Sequence, residues 1–308
     1  MFFGTPEFSV PSLKTLIRAP FIELLSVVTQ PDKAAGRRRR PKPPPVKLIA
    51  REAGIDVLQP EKLRDEQFID AIRRLSPSII IVVAYGKILP LELINIPPLG
   101  CINVHASLLP KYRGAAPINR ALMAGEDYTG VTIMLMDESM DTGPILLQKR
   151  VDIHRDDDAG VLSKKLSEIG AEMLIPVIKA IAEKSIIPVA QEGIPSYAPP
   201  IKKEERIINW HSSAQKIANL VRGLSPSPGA YSFLMGERIV ILKAEAIEWE
   251  GEPGVVEKVG KDELLVGTGS GLLSILELKP ASKKRMSIRA FLQGRSIKKG
   301  MSFSASGS

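Results

Sequence analysis

The sequence predicts an α/β protein: a mostly parallel sheet with helices on both faces, followed by a small β-barrel. Three observations point there. Short, apolar, β-branched runs alternate with helical patterns through the first part of the chain, the pattern of a parallel sheet covered by helices. Several of those runs are apolar at every position, as strands buried on both faces require. After Lys184 the alternation is broken by prolines at 188, 195, 199 and 200, and the strands beyond are short and separated by glycines. A chain of 308 residues has room for two cores. The expected division is a first domain over 1–185, a linker over 186–203 and a second domain over 204–308.

Taken in order, only Met1–Phe3 precede Gly4, so a strand there is expected to be short and at the sheet edge. Pro11–Arg18 reads as a helix, with Ser9 placed to cap it and Pro11 in its first turn. Leu24–Thr29 reads as a strand. Pro31–Pro45, rich in proline, arginine and lysine, is expected as an exposed loop, because such a segment forms neither helix nor core strand. Further helices are expected over Val46–Ala53, Asp65–Leu75, Pro117–Ala124 and Ala159–Ala182. Strands are expected over Ile79–Val83, Ile102–His105, Val131–Leu135 and Ile145–Val151. In the second domain Ser212–Val221 reads as a helix, and Arg238–Ala244, Gly254–Val259, Leu264–Thr268 and Leu272–Leu278 as barrel strands.

Composition narrows the functional classes. No apolar run is long enough to cross a bilayer, and the N-terminus lacks the basic-then-apolar pattern of a secretory leader. A cytoplasmic monomer with no membrane partner is expected. The single cysteine, Cys101, has no internal disulfide partner and reads as a small buried apolar side chain. Aromatic content of 5% is too low for a surface built mainly to stack bases.

The net charge of +8 is local rather than diffuse. Lys33–Arg51 contains Lys33, Arg37, Arg38, Arg39, Arg40, Lys42, Lys47 and Arg51 and no acid; Lys279–Lys299 contains Lys279, Lys283, Lys284, Arg285, Arg289, Arg295, Lys298 and Lys299 and no acid. The rest of the chain is net acidic, at −8. Two positive segments on a negative body suit a polyanion that touches defined places, such as RNA. Either run alone reads first as a solvated loop or tail, and only the two together bring the RNA reading level with that one.

The chemistry-bearing segment is GCINVHASLLPKYR, from Gly100 to Arg113. Asn103 and His105 are two apart at the end of an apolar strand, so both project from one face. The carboxyl end of a strand in an open α/β sheet is where ligands bind. Asp141, in MDTGP, lies on a turn between two strands and offers a carboxylate to the same space. Amide, imidazole and carboxylate together suit acyl transfer without a covalent intermediate: donors for an oxyanion, a proton relay and an acid to orient the imidazole. The plainer readings remain open, with His105 a structural strand histidine and Asp137, Asp141 and Asp156–Asp158 solvated turn residues. His154 and His211 read as surface residues. The sequence holds no GxSxG elbow, Walker loop or metal-spaced Cys/His cluster, so no metal is expected.

At these residues the chain resembles the folate-dependent formyltransferases, most closely those acting on methionyl-tRNA. The resemblance runs nearly end to end, through GTPEFSVPSL, TQPDKAAGR, VVAYGKILP, GCINVHASLLPKYRGAAPINRAL, GVTIMLMDESMDTGPIL, INW at 208–210 and LSPSPGA at 224–230. It implies a Rossmann-like catalytic domain, an OB-like C-terminal domain that helps bind tRNA, and Asn103, His105 and Asp141 as the catalytic set. It implies 10-formyltetrahydrofolate as co-substrate, with Ser107, Leu108, Leu109 and Pro110 as the folate-binding SLLP signature. Ile88 and Leu89 fall where related enzymes hold the pterin through backbone groups. Arg37 matches a basic residue of the inserted loop used on the tRNA acceptor end. With it, Arg38, Arg39, Arg40, Lys42, Lys283, Lys284 and Arg285 are the expected contacts to methionyl initiator tRNA. An enzyme formylating a nucleotide-linked amino sugar or nucleotide precursor would share the Asn–His–Asp set but give no reason for the basic segments. A nucleic-acid-binding protein on a degenerate enzyme fold would explain the basic segments and not the polar set.

Overall fold

In the computed structural model, which describes residues 1–35 and 40–306, the chain runs β1 (Phe2–Gly4), α1 (Val10–Arg18), β2 (Val27–Val28), the hairpin β3 (Lys33–Ala35) and β4 (Arg40–Lys42), α2 (Pro45–Glu52), β5 (Val57–Leu58), α3 (Glu66–Leu75), β6 (Ile80–Val83), α4 (Leu91–Ile94) and β7 (Cys101–His105). It continues through α5 (Pro117–Ala124), β8 (Tyr128–Leu135), β9 (Ile145–Asp152) and α6 (Ala159–Ala182). Packing divides the chain into one unit of 1–117, 128–152 and 163–198 and a second of 118–127, 153–162 and 199–308. The proline-rich stretch therefore belongs to the first unit as far as Ala198.

The sheet of the first unit has the order β5-β2-β1-β6-β7-β8-β9. Its first five strands are parallel, and β8 and β9 are antiparallel. From β1 the chain builds outward through β2 to β5, then returns to the other side of β1 with β6 and β7. Strand order thus reverses between β1 and β6, which is where open α/β sheets bind ligands. The loops leaving these two strands are tied together, Thr5 Oγ1 donating to Tyr85 O at 3.0 Å. Beneath them Phe3 and Tyr85 are buried and pack edge to face with centroids 5.4 Å apart, a geometry that adds about 0.5–1.5 kcal/mol to the burial itself. Cys101 is buried as expected, and burial pushes its thiol up to about 12.

The second unit is a barrel built from α7 (Ala214–Leu224), β10 (Ala230–Leu234), β11 (Glu237–Ile247), β12 (Val256–Val259), β13 (Leu264–Gly267), β14 (Leu272–Pro280), β15 (Met286–Ser287), α8 (Ile288–Gln293) and β16 (Phe303–Ser304). Its antiparallel strands run β12-β13-β14-β11-β10-β16, with β15 paired to β14. The two ends of that path meet: Val255 bridges Ser302, and Phe303 N donates to Gly254 O at 2.8 Å. Closure removes the free edges of the sheet. Trp210 fills the core against Phe303 and donates Nε1–H to Ser232 Oγ at 2.9 Å.

Several expectations change. β1 lies inside the sheet between β2 and β6 rather than at its edge. Ser9 makes no cap bond; its hydroxyl donates to Val83 O at 2.6 Å and so joins α1 to β6. Leu24–Thr29 shortens to Val27–Val28, the two residues that pair with both β1 and β5. The 31–45 segment carries the β3–β4 hairpin rather than irregular loop throughout. Asp157 is buried rather than solvated, its carboxylate accepting from His154 N at 2.8 Å. His154 and His211 are exposed, as expected.

Candidate active site

Strand β7 carries Asn103 and His105 on one face, either side of the inward Val104. The turn between β8 and β9 leaves the sheet beside the start of β7, since Ile102 pairs with Leu135 and His105 with Thr132. Asp141 nevertheless reaches both polar side chains, so the turn folds back across that face of β7. Its Oδ1 accepts from Asn103 Nδ2 at 3.4 Å, and its Oδ2 accepts from Gly114 N at 2.8 Å and stands 3.6 Å from His105 Nδ1. His105 is 6% exposed and Asp141 13%, so the pair sits where water screens it little. The other ring nitrogen, His105 Nε2, lies 2.9 Å from Tyr112 O. A carbonyl only accepts, so Nε2 carries a proton in this arrangement.

The turn is built to one shape. Asp141 has φ 57, in the left-handed region that costs a non-glycine residue on the order of 1–2 kcal/mol. A Cβ on Gly143 would stand 1.8 Å from Leu135 O, so no other residue fits there without moving β8. Two carbonyls of the turn, Asp141 O and Gly143 O, accept from Gln191 Nε2 at 2.9 and 2.8 Å.

The loop after β7 is held from below. Thr132 Oγ1 donates to Ser107 O at 2.6 Å and accepts from Leu109 N at 3.2 Å, while Gln148 Nε2 donates to Leu109 O at 2.8 Å. Ser107 and Leu109 are buried, the Ser107 hydroxyl donating to Lys111 O at 2.6 Å. Leu108 and Pro110 are half-buried. Because β6 and β7 are neighbouring parallel strands, the loop carrying Ile88 and Leu89 leaves from the same edge of the sheet. Ile88 is 70% exposed and Leu89 is buried.

The expected tRNA contacts are a mixed set. Arg37, Arg38 and Arg39 lie outside the described residues, as does the side chain of Arg40. Lys42, Lys283 and Lys284 are exposed. Arg285 is ion-paired with Glu277, whose bond holds the guanidinium in its charged form. Acid-free runs in sequence are thus not unpaired in space: Arg295 pairs with Glu237, Lys299 with Glu257 at 3.8 Å, and the buried Lys47 with Asp32 at 2.7 Å. Among the described residues, no group of three or more His, Cys, Asp or Glu side chains gathers as a metal site, and no helix is long and apolar enough to cross a membrane.

The formyl transferase family matches residues 2–178, and the formyl transferase C-terminal domain matches residues 200–296. The chain belongs to the formyl transferase family. A formyltransferase of Thermodesulfovibrio yellowstonii, named methionyl-tRNA formyltransferase, is 53% identical over 98% of this chain and 97% of its own length. One of the same name from Caldanaerobacter subterraneus is 48% identical over 97% of this chain and 98% of its own. Among solved structures, the sugar 3N-formyltransferase WlaRD aligns with TM-score 0.67 at 18% identity, over 92% of this formyltransferase and 97% of that chain. HypX from Aquifex aeolicus in complex with tetrahydrofolic acid aligns with TM-score 0.60 at 20% identity, over 80% of this chain and 43% of that one. At such identities the two structures speak for the fold alone.

Sequence reasoning missed the residues that fix this formyltransferase's site from behind: Gly114, Thr132, Gln148, Arg113 and Gln191. Thr132 left a trace, being the one polar side chain in the apolar run VTIML, whereas Gln148 left none, since it opens the polar stretch QKR of its strand. Gln191 left none, since its proline-rich surroundings read as a connection between domains.

Proposed function

We propose that this formyltransferase moves the formyl group of 10-formyltetrahydrofolate onto the α-amine of methionyl initiator tRNA. The observation that carries the reading is the meeting of Asn103, His105 and Asp141 on one face of β7, in a chain with near-full-length relatives named for this reaction. Residues 1–185 carry the chemistry, and 204–308 help hold the tRNA. Ser107–Pro110 with Ile88 and Leu89 hold the folate, a role supported by their two loops leaving one edge of the sheet from adjacent strands.

The amine lone pair attacks the formyl carbon, and the carbonyl π electrons move to oxygen. Asn103 Nδ2–H and His105 Nε2–H turn from their resting acceptors, Asp141 and Tyr112 O, to the developing oxyanion, the kind of preorganised donor pair that lowers an acyl-transfer barrier most. Asp141 holds the ring; as the C–N10 bond breaks and its electrons return to nitrogen, N10 takes the proton of His105 Nε2, and the nitrogen so vacated takes the proton lost by the amine. Nothing is left bonded to the enzyme. Around the tRNA, Arg37–Arg40, Lys42, Lys283, Lys284 and Arg285 neutralise phosphates.

The test is to incubate the protein with 10-formyltetrahydrofolate and methionyl initiator tRNA, hydrolyse the ester and look for formyl-methionine. Its absence, with formyl transfer to a nucleotide-linked amino sugar instead, would replace this reading with a small-substrate one.

A further inference from the structure

Asp141 is held in place by a closed circuit that begins far along the chain. Gln191 Nε2 donates to Asp141 O at 2.9 Å and to Gly143 O at 2.8 Å, and Gln191 Oε1 accepts from Arg113 Nε at 3.2 Å and Nη2 at 2.6 Å. Arg113 is itself fixed by strand-like bonds: its N–H donates to Ser196 O at 2.9 Å and its carbonyl accepts from Ala198 N at 2.7 Å. The next residue, Gly114, closes the loop by donating its N–H to Asp141 Oδ2 at 2.8 Å. The circuit therefore grips Asp141 at both ends, backbone through Gln191 and carboxylate through Gly114.

Such a grip has a definite job here. Asp141 holds a left-handed conformation, φ 57, that an aspartate leaves readily unless its surroundings enforce it. Two carbonyls of one turn facing the same amide nitrogen are a specific demand, and the NH₂ of Gln191, with two N–H groups on one atom, meets both. The acceptor half of that amide faces Arg113, whose two donors fix which way the amide lies; reversed, it would set carbonyl against carbonyl at the turn.

We infer that Gln191, oriented by Arg113, is a positioning residue for the reaction: it keeps the Asp141 turn in the conformation that sets the carboxylate against His105 and Asn103. The inference rests on the reading that those three act at the reacting centre. Gln191 touches none of the reacting atoms.

The test uses the full-length protein with Gln191→Glu, Gln191→Leu and Arg113→Lys. Gln191→Glu keeps size and pairs with Arg113, but offers acceptors to two carbonyls; a residue that merely packs or pairs would tolerate it. Displacement of Asp141 should lower kcat in single-turnover formylation by about 10- to 100-fold, with KM for 10-formyltetrahydrofolate moving less than about twofold. Gln191→Leu should lose as much, and Arg113→Lys part of it. A second readout does not need turnover. The chain has three histidines, so its imidazole ¹H–¹⁵N spectrum is simple, and the His105 signals, assigned through His105→Asn, should shift in both Gln191 variants while those of exposed His154 and His211 hold. Unshifted His105 signals with wild-type kcat in Gln191→Glu would overturn the inference, as would kcat losses that match a fall in folded fraction. If wild type itself forms no formyl-methionine, the functional reading fails, and the histidine spectrum alone then decides whether Gln191 positions Asp141.

Discussion

Replacing Asp141 with asparagine isolates what the carboxylate contributes. The substitution keeps the size of the side chain and one oxygen to accept from Gly114 N, now at 2.8 Å, so the turn has little reason to open. It exchanges the other oxygen for an NH₂ group and removes the negative charge beside His105, 3.6 Å away, and Asn103, 3.4 Å away. A hydrogen bond or contact to a charged group is worth about 1.5–3 kcal/mol when the group is largely out of water, and each ~1.4 kcal/mol is a factor of ten in rate. Losing that interaction while His105 donates and exchanges its proton should therefore slow formyl transfer by roughly 10- to 150-fold. The assay is rapid-quench single turnover at saturating folate and methionyl-tRNA, with formyl-methionine counted after ester hydrolysis, alongside a thermal melt of the same preparation. A variant within about threefold of wild type, or one whose loss follows its melting temperature, would refute the reasoning and leave His105 a structural histidine.

Two more outcomes follow from ion pairs. Arg120 donates twice to Glu205, once at 3.0 Å, and Lys202 N adds a third bond, holding the Glu205 carboxyl down from its usual 4.5 to about 2. A depressed carboxyl stabilises the fold above its unfolded pKa and loses that contribution as pH falls through the folded one. The wild-type melting temperature should accordingly fall between pH 4.5 and about 2 more steeply than that of Glu205→Gln, by the modest amount a pair a third open to water allows, about 1 kcal/mol or less; parallel curves would dismiss the pair. In the first basic run, changing Arg38, Arg39 and Arg40 to Ser should flatten the dependence of log tRNA affinity on log salt by roughly 0.7–0.9 for each phosphate no longer neutralised. Lys47→Ala, which removes a buried partner of Asp32, should lower the melting temperature and leave that slope alone. Equal slopes for wild type and the triple variant would take the loop out of the RNA interface.

What the sequence revealed was whatever is written locally. Helices Ala159–Ala182 and Pro117–Ala124 match their expected bounds, because apolar periodicity over several turns leaves few alternatives. Most of the strands missed are short, β3 and β4 at three residues and β5, β15 and β16 at two, where pairing partners rather than local composition decide the conformation; β10, Ala230–Leu234, was missed as well, at five residues. The same division runs through the site. Asn103 and His105 could be placed on one face because a strand has period two, whereas the approach of Asp141 depends on a turn folding back over β7, which no spacing encodes. Ser9 shows the opposite error: its position suggested a cap, and tertiary structure used the hydroxyl to join α1 to β6.

The span of the bonds that Gln191 makes, 50 and 48 residues back to the turn and 78 back to Arg113, sets an order of events during synthesis. β7, with Asn103 and His105, and the turn that carries Asp141 leave the ribosome well before the residue that braces that turn, and the N-terminal parts of a chain fold first during synthesis. A nascent chain halted after α6 has every strand of its first sheet and an aspartate free to leave its unfavourable conformation. On the inference that Gln191 positions Asp141 for the reaction, competence arrives late, with 191–198, and a single proteolytic cut in that stretch would undo it while sparing the seven strands beneath.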